Sequence, residues 1–352
     1  MSSFDVAATI VKIAVVFGVL QSSVAVMTWV ERRVAGWIQD RMGPNRVGPL
    51  GLLQPLADGV KFIWKEDIVP GHVHKVCYVL APAASLTAAL TAFAVIPFGP
   101  TLVLFGHDVA LSIADVGVGV LVTLAASSMG VYGIVMAGWA SNNKFSLMGG
   151  LRSAAQLISY ELAMGLAVIS VIASSGTLRL SEIVEQQGGT VLGYVPAWNI
   201  FINPLGALIF LVGSYAETNR APFDLPEAES ELVAGYHTEY SSMKFSMFFM
   251  AEYINMITSS ALFVTLFLGG WQVPGLSLAL SGNWLALCQM LIFVAKVAVF
   301  MFMFVWVRWT LPRFRYDQLM NLGWKGLIPL SIVNLFYVGS LVTLGVFDKG
   351  QG

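Results

Sequence analysis

The chain has 352 residues, of which 57% are hydrophobic and only 11% are charged. A soluble globular domain carries roughly 25% charged residues, so this sequence has too little polar surface for a water-soluble particle of its size. The formal net charge of −1 argues against a nucleic acid as the partner. The two cysteines, Cys77 and Cys288, lie far apart in apolar stretches and form no paired motif, which argues against an iron–sulfur cluster or structural zinc held by this chain alone.

Long apolar stretches recur along the whole chain. An α-helix needs about 20 apolar residues to cross the hydrocarbon core of a bilayer, and eight stretches meet or approach that length. We therefore predict an all-α integral membrane protein with about eight transmembrane helices, of which the fifth is short. The predicted spans are Val6–Val30, Val76–Ile96, Ile113–Gly138, Ala154–Ser174, Ile200–Ala216, Phe245–Leu268, Leu285–Val307 and Leu327–Val346.

The distribution of basic residues predicts the orientation of these helices. Cytoplasmic loops of membrane proteins carry an excess of lysine and arginine, and 15 of the 19 basic residues fall in alternate loops of this chain. Both termini are therefore predicted to lie outside. We expect one membrane domain, 1–352, with three distinctive cytoplasmic-side loops at 31–75, 217–243 and 308–326.

The first inner loop is predicted to contain an amphipathic interfacial helix. Glycine and proline residues between Gly43 and Gly51 favour irregular backbone. In the stretch Leu50–Asp67 that follows, polar residues recur at helical spacing and leave an apolar face opposite them. Such a helix lies in the membrane interface instead of crossing the bilayer. A simple surface anchor is the alternative. The polar residues are Gln54, Asp58, Lys61 and Lys65.

Two later inner loops carry unusual charges. Residues 217–231 hold five carboxylates and one arginine, and Pro222 and Pro226 interrupt any helix there. A solvated acidic loop is the alternative to a functional cluster. Residues 312–317 place two arginines and an aspartate around aromatic residues, a pattern that a membrane anchor with a local ion pair would also explain.

Among the charged residues predicted to lie within membrane helices or at their ends, the candidates for a function are Glu161, Glu217, Glu252 and Lys296. Lys12 also lies within a span and is assigned no role. An ionisable residue at the bilayer centre costs about 2.5 kcal/mol or more on insertion scales, and it marks a functional site by default. Burial disfavours the charged form of such groups, so they can exchange protons near neutral pH, as a proton relay requires. Interhelical ion pairs that hold the bundle together are the alternative.

The sequence predicts no metal site and no redox centre. Its histidines form no metal-ligand motif, and it contains no phosphate loop, dinucleotide fingerprint or nucleophile triad. If the protein takes part in redox chemistry, a partner must therefore hold the redox centres.

Several inner-loop motifs together identify a family. They are Glu31-Arg32, GPNRVGP at 43–49, LQPLAD at 53–58, ETNRAPFD at 217–224, EAESE at 227–231 and PRFRYDQLM at 312–320. With the eight-span pattern, these motifs resemble the quinone-site membrane subunits of respiratory complex I, the proton-pumping NADH:quinone oxidoreductase. The resemblance extends from the first span to the eighth.

The resemblance implies a subunit of an enzyme that joins its membrane arm to its peripheral arm. Ubiquinone or menaquinone would be the substrate, approaching through a chamber that this chain helps to form. FMN and iron–sulfur clusters would lie on peripheral-arm partners, and small membrane subunits and antiporter-like subunits would be further partners. A bacterial inner membrane is favoured over a mitochondrial one.

The resemblance also implies roles for individual residues. Those bordering the quinone path would be Arg32, Arg41, Ala57, Phe62 and Trp64. Those of the proton path would be Asp58, Glu161, Glu217, Glu227, Glu229 and Glu231. Further charged members of the same network would be Glu31, Arg152, Glu252, Lys296 and Arg313.

Three other functions remain open from the sequence. A stand-alone cation/proton transporter could use the intramembrane charges as its relay, although an internal repeat is not evident. The membrane subunit of an energy-converting hydrogenase would share the layout but use no quinone. A passive anchor would use its charges only to hold partners.

Overall fold

The computed structural model describes residues 3–104, 106–191, 195–276 and 281–345, and most of them are helical. The longer helices are α1 (Ser3–Ile38), α3 (Lys75–Ala94), α4 (Gly119–Ala140), α5 (Lys144–Ser175), α8 (Pro204–Glu217), α10 (Ser242–Phe267), α11 (Gly282–Thr310) and α13 (Ile328–Thr343). The shorter helices are α2 (Gln54–Trp64), α6 (Leu180–Gln186), α7 (Asn199–Ile202), α9 (Glu229–Leu232) and α12 (Tyr316–Asn321). Further turns are the 3₁₀ segments Pro49–Gly51 and Gly235–His237 and the π-helical segment Leu322–Leu327.

Two small antiparallel hairpins complete the described structure. Strand β1 (Thr101–Leu104) pairs with β2 (His107–Ala110), and β3 (Thr190–Val191) pairs with β4 (Val195–Pro196). The first hairpin is fixed to α11, because the Asn283 side chain bonds the Val103 amide at 3.0 Å and the Val103 carbonyl at 2.8 Å.

The apolar helices confirm the predicted all-α membrane class. Among the described residues, seven helical runs are long and apolar enough to cross a bilayer, including the continuous run Tyr316–Thr343. The predicted fifth span is the exception, because α8 has only 14 residues. Such a helix is about 21 Å long, which is shorter than a hydrocarbon core of about 30 Å. Asn203 separates it from α7 and caps it by accepting a hydrogen bond from the Gly206 amide.

Several helices extend beyond the spans predicted from hydropathy. Helix α1 continues to Ile38, and α5 begins at Lys144, ten residues before the predicted span. The extra turns carry charged residues such as Arg32 and Arg152, which an apolar window excludes. The helices therefore project past the hydrocarbon on the predicted inner side and carry these charges with them.

Helix α10 lies at the centre of the bundle, whereas α1 lies at its edge. In their most apolar 18-residue windows, 72% of α10 residues but only 17% of α1 residues are buried. The inner loop after α8 is folded tightly near α10 and α5. Gly235 has φ +58°, and a Cβ there would collide with the Pro226 carbonyl. This close turn brings the acidic loop back against the inner ends of the helices.

Candidate functional site

A large cavity lies between α1, α2, α10, α11 and the turn at 41–44. Its volume is about 650 Å³. The α1 residues that line it are spaced three or four apart and run from Gln21 to Ala35, so the cavity follows one helix face for about 20 Å. Aromatic side chains, among them Phe62, Phe245 and Phe249, form much of the remaining wall. The cavity is therefore elongated and largely apolar.

Helix α2 contributes a carboxylate to this cavity. Asp58 accepts hydrogen bonds from Arg32 at 2.6 Å, Lys61 at 3.2 Å and Gln54 at 3.4 Å. Burial alone would raise the pKa of Asp58, but the Arg32 and Lys61 contacts outweigh it and lower the pKa below its usual value. Asp58 therefore remains a carboxylate that holds two cations at the cavity wall.

The structure places some of the predicted quinone-path residues in this wall and others outside it. Arg32, Arg41 and Phe62 line the cavity. Ala57 and Trp64 are not among the lining residues, and both are exposed, Trp64 to 85%. One face of α2 thus borders the cavity, and the face with Ala57 and Trp64 points away from it.

A buried cluster of charges forms part of the wall of this cavity, where Glu31, Tyr253 and Arg308 line it. Glu31, which is only 6% exposed, accepts hydrogen bonds from Arg308 at 2.5 Å, Arg220 at 3.2 Å and the Tyr253 hydroxyl at 2.6 Å. Arg220 also pairs with Glu252, and its guanidinium lies 4.5 Å from the centre of the Tyr253 ring. One arginine therefore bridges two glutamates that come from different helices.

Arg220 belongs to one of the inner-loop motifs, but the sequence assigned it no role of its own. Its side chain is only 3% exposed. Burial would lower the pKa of this guanidinium, but Glu252 and Glu31 raise it well above its usual value, so the charge is permanent. The available signal was that Arg220 is the single cation among five carboxylates in residues 217–231.

A second, smaller cavity of about 30 Å³ lies on the other side of Arg220. This volume accommodates a water molecule when polar partners surround it. Carboxylate, hydroxyl and amide side chains do so here, and they come from α3, α4, α8, α10 and the acidic loop. They are Ser85, Ser127, Glu217, Thr218, Asn219, Glu227, Glu252 and Asn255.

Glu161 continues the series of carboxylates beyond this cavity. The Glu217 carboxylate accepts a hydrogen bond from Ser259 at 3.4 Å and another from Ser127. Glu161 on α5 accepts a hydrogen bond from Ser128, and its charge acts on Glu217. Neighbouring serines of α4 thus connect two of the predicted proton-path residues.

The acidic loop is tied to the surrounding loops by further pairs. Asp224 accepts a hydrogen bond from Arg313 at 2.7 Å. Glu227 lies 3.8 Å from the nearest nitrogen of His237. Burial, with the nearby charges of Glu252 and Asp224, raises the pKa of Glu227 well above its usual value. Burial lowers the pKa of His237 to about 4. Burial therefore favours the neutral form of both groups, and His237 is neutral at neutral pH.

The end of the acidic loop is more exposed. Glu231 is about half exposed and pairs with Arg152 at 2.6 Å. Glu231 is not among the residues that line the small cavity. The Glu229 side chain lies outside the described part of the chain, although its backbone begins α9.

Lys296 lies apart from the carboxylates with which it was grouped. Its ammonium donates to the carbonyls of Leu268 at 2.8 Å, Gly270 at 2.9 Å and Gln272 at 3.0 Å. It also lies 4.3 Å from the centre of the Trp198 ring. These contacts satisfy all three N–H donors of the ammonium at the far end of α10.

The side chains offer no candidate metal centre in the part of the chain that the structure describes. Within those residues, no group of three or more His, Cys, Asp or Glu side chains is placed to hold a metal ion.

Comparison with known proteins identifies the family. The family model described as NADH dehydrogenase matches residues 11–339. NADH-quinone oxidoreductase subunit 8 of Rhodothermus marinus is 53% identical over 331 residues, and a subunit of the NADH-quinone oxidoreductase of Salinibacter ruber is 53% identical over 333 residues. Each alignment covers 92% of this chain and 92% of the relative. The chain therefore belongs to the NADH dehydrogenase family, as an integral membrane member with a buried series of charged side chains between two cavities.

Proposed function

We propose that the chain is the membrane subunit of a proton-pumping NADH:quinone oxidoreductase. In this proposal the subunit admits quinone to the enzyme and transmits the change of charge at the quinone head toward the proton path. We place it in a bacterial inner membrane. FMN and iron–sulfur clusters belong to partner subunits of the peripheral arm in this proposal, because the buried side chains of this chain carry protons and charges but not electrons.

The large cavity suits a quinone with an isoprenoid tail. Its wall along α1 and the phenylalanines of α2 and α10 offer apolar surface to the tail over about 20 Å. Its polar lining includes Glu31, Tyr253 and Arg308, which form one hydrogen-bonded cluster. A quinone head beside that cluster would find donors for its carbonyl oxygens. Reduction of that head consumes two protons and creates negative charge on the way.

The observation that carries the proposal is the position of Arg220 between the two cavities. Glu31 lines the large cavity, Glu252 lines the small one, and Arg220 contacts both. Two unit charges about 4 Å apart interact by about 4 kcal/mol at an effective dielectric constant of 20. A charge that appears beside Glu31 is separated from Glu252 by Arg220. Over a distance of about 10 Å the same relation gives about 1.7 kcal/mol, which is enough to change the protonation equilibrium of Glu252 about tenfold.

The rest of the relay follows from the small cavity. Glu217, Glu227 and Glu252 line the same small polar space, so a water there can exchange protons among them. From Glu217 the path continues through the serines of α4 to Glu161, and from there toward antiporter-like partner subunits. Because the carboxylates interact, their protons are shared in a coupled titration and no single residue is the pump.

A pair of tryptophan substitutions tests the cavity. Ala25 lines it, whereas Ala57 is exposed on the other face of α2. We expect Ala25→Trp in the intact complex to raise the KM for a long-tailed quinone about tenfold or more, because the ring fills the tail path. A short-tailed quinone should suffer less. NADH oxidation with an artificial acceptor measures the peripheral arm and should not change.

The matched control is Ala57→Trp, which introduces the same ring outside the cavity. It should leave the KM for both quinones within about twofold of the wild type. Equal impairment by the two variants, or equal effects of Ala25→Trp on long-tailed and short-tailed quinones, would contradict a tail path in this cavity.

A further inference from the structure

Helix α2 is held by the first turn of α10. The Ser242 hydroxyl lies 2.8 Å from the Phe62 carbonyl and 3.0 Å from the Lys65 carbonyl. These two carbonyls belong to the end of α2, where the helix itself provides no amide donors for them. A hydroxyl has one proton, so the two carbonyls share it. Ser242 thus caps a helix that lies about 180 residues earlier in the chain.

Two neighbouring contacts join the same segments. The Ser241 hydroxyl donates to the Glu66 carbonyl at 3.4 Å, and Lys244 pairs with Asp67 at 2.6 Å. We call Ser242 and Lys244 the α10 clasp; the Ser241 contact is long and exposed and is not part of it. Ser242 is its buried member, with 5% exposure, whereas the Ser241 contact is exposed.

The clasp matters because α2 has little else to hold it. None of the eleven residues of α2 is buried. At the other end of the helix Asp58 is tied to Arg32 of α1. The end that carries Phe62 depends on the clasp and on the contact between the Phe62 and Phe245 rings, whose centres are 6.2 Å apart.

The two joined segments are adjacent walls of the large cavity. Asp58, Gly59 and Phe62 line it from α2, and Phe245, Ser246 and Phe249 line it from α10. The walls meet where the Phe62 and Phe245 rings are in contact, beside the clasp. The position of the α2 wall relative to α10, and so the shape of the cavity, therefore depends on the clasp.

The backbone at Ser242 supports a specific role for this residue. Its φ is +54°, in the left-handed region that residues with a Cβ rarely adopt. Such a conformation costs about 1–3 kcal/mol and persists only where surrounding contacts impose it. Here those contacts are the hydrogen bonds to α2.

We propose that Ser242 is a positioning residue for quinone binding, which fixes the α2 wall of the cavity relative to α10 by holding the end of α2. This inference rests on the proposed function, because it takes a quinone as the occupant. Without the Ser242 hydroxyl, the end of α2 is free to move, and quinone must order it on binding. Ordering a wall at the moment of binding lowers affinity without altering the later steps.

The test is a comparison of Ser242→Gly and Ser242→Asn in the intact complex. Glycine removes the hydroxyl and adopts a positive φ without cost, so any loss reports the missing hydrogen bonds. We expect the KM for quinone to rise about fivefold to tenfold, with kcat changed by less than twofold. Asparagine also tolerates the left-handed region and supplies an N–H donor, so its KM should stay within about threefold of the wild type.

Two controls separate position from general damage. Ser241→Gly removes the long, exposed contact of the adjacent residue, and it should leave the KM within twofold. NADH oxidation with an artificial acceptor should be unchanged in every variant. If the glycine variant does not assemble, Ser242→Ala replaces it, since alanine also lacks a side-chain donor, and its KM is compared with that of Ser242→Asn.

A photoreactive quinone distinguishes the two levels of the proposal. If it fails to label the large cavity in the wild-type complex, the result contradicts both the proposed function and the positioning role of Ser242. If it labels the wild type but Ser242→Gly keeps the wild-type KM, only the clasp is overturned. A KM for Ser242→Asn as high as that for Ser242→Gly would also overturn it, because a donor would then make no difference.

Discussion

Arg220 and Lys296 are both cations beside α10, and they have different partners. Arg220 is buried and contacts the carboxylates of Glu31 and of Glu252, which lies near the middle of α10. Lys296 is partly buried and contacts three backbone carbonyls of the segment that follows α10. Each carboxylate partner of Arg220 lines one of the two described cavities, whereas no partner of Lys296 lines either.

The different partners indicate different roles for the two cations. A carboxylate can take up a proton, so the charge balance around Arg220 can change during turnover. A backbone carbonyl cannot, so the contacts of Lys296 are fixed. A cation at a helix C-terminus is also favoured by the helix dipole. We therefore propose that the inner cluster responds to charge and that Lys296 holds the end of α10 in place.

Removal of the Arg220 charge should have the largest effect. In Arg220→Gln, Glu31 and Glu252 would lose a shared cation while remaining buried. Breaking a buried pair in this way typically costs about 3–5 kcal/mol. We expect coupled NADH:quinone activity to fall more than tenfold, measured in membranes together with the amount of assembled complex on native gels.

The matched control is Arg179→Gln on the opposite side of the bundle. Arg179 also contacts two carboxylates, Asp115 and Glu182, but its side chain is 41% exposed. Exposed pairs contribute about 0–1 kcal/mol, so this variant should keep near-normal activity. Similar losses in the two variants would show that the location of Arg220 between the cavities is unimportant.

A second prediction contrasts Glu217→Gln with Lys296→Met. Glutamine keeps the shape of Glu217 but cannot exchange a proton, so proton pumping and coupled activity should fall several-fold while the complex still assembles. Methionine keeps the length of Lys296 but leaves three carbonyls without a donor. That change should destabilise the subunit by about 3 kcal/mol and leave the activity of each assembled enzyme near normal.

The measurements are proton uptake per quinone reduced and the thermal inactivation rate of the purified complex. Lys296→Ala adds a further arm, because a short alkylammonium ion could occupy the space of the lost side chain and restore stability. If Lys296→Met lowers the pumping ratio without lowering stability, Lys296 belongs to the relay and the contrast with Arg220 disappears.

The membrane class and the positions of most helices were predictable, because apolar length is a local property of the sequence. The short α8 was also foreseen as an exception. The amphipathic helix of the first inner loop was correctly located, since α2 runs from Gln54 to Trp64. The sequence did not indicate which face of α2 borders the cavity. The resemblance assigned Ala57, Phe62 and Trp64 to the quinone path, and of these Phe62 lines the large cavity. A helix can turn only one face toward a cavity, and that face holds Asp58 and Phe62.

The partners of the charged residues could not be predicted. Arg220 and Glu31 are 189 positions apart, and no local pattern links them. The surroundings of Lys296 depend on Gly269 and Gly270, whose positive φ values allow the chain after α10 to turn its carbonyls toward the ammonium. Lys296 lies within an apolar stretch, which correctly indicated that its side chain is at least partly buried. Its depth along the helix does not indicate whether carboxylates or backbone carbonyls surround the ammonium.

The smallest effect should come from His237, although it lies beside the inner cluster. Its ring is 3.8 Å from Glu227 and is otherwise surrounded by Tyr236, Phe245 and Phe249. Because burial lowers the pKa of His237 to about 4, the ring stays neutral in the folded protein at pH 6–8. We therefore expect His237→Asn to leave the pH profile of quinone reduction unchanged across that range.

We expect His237→Asn to differ from the wild type in its stability at acid pH. As the pH falls from 6.5 to about 4, the unfolded chain binds a proton at position 237 that the folded chain resists, so His237 destabilises the folded protein progressively. His237→Asn should remove that loss and slow inactivation at pH 5 relative to the wild type. Glu227 acts in the opposite sense, since a raised pKa makes the folded protein lose stability as the pH rises above 4.5. A displaced activity optimum in His237→Asn would instead mean that this ring carries a proton during turnover, and the responding cluster would then extend into the acidic loop beyond its carboxylates.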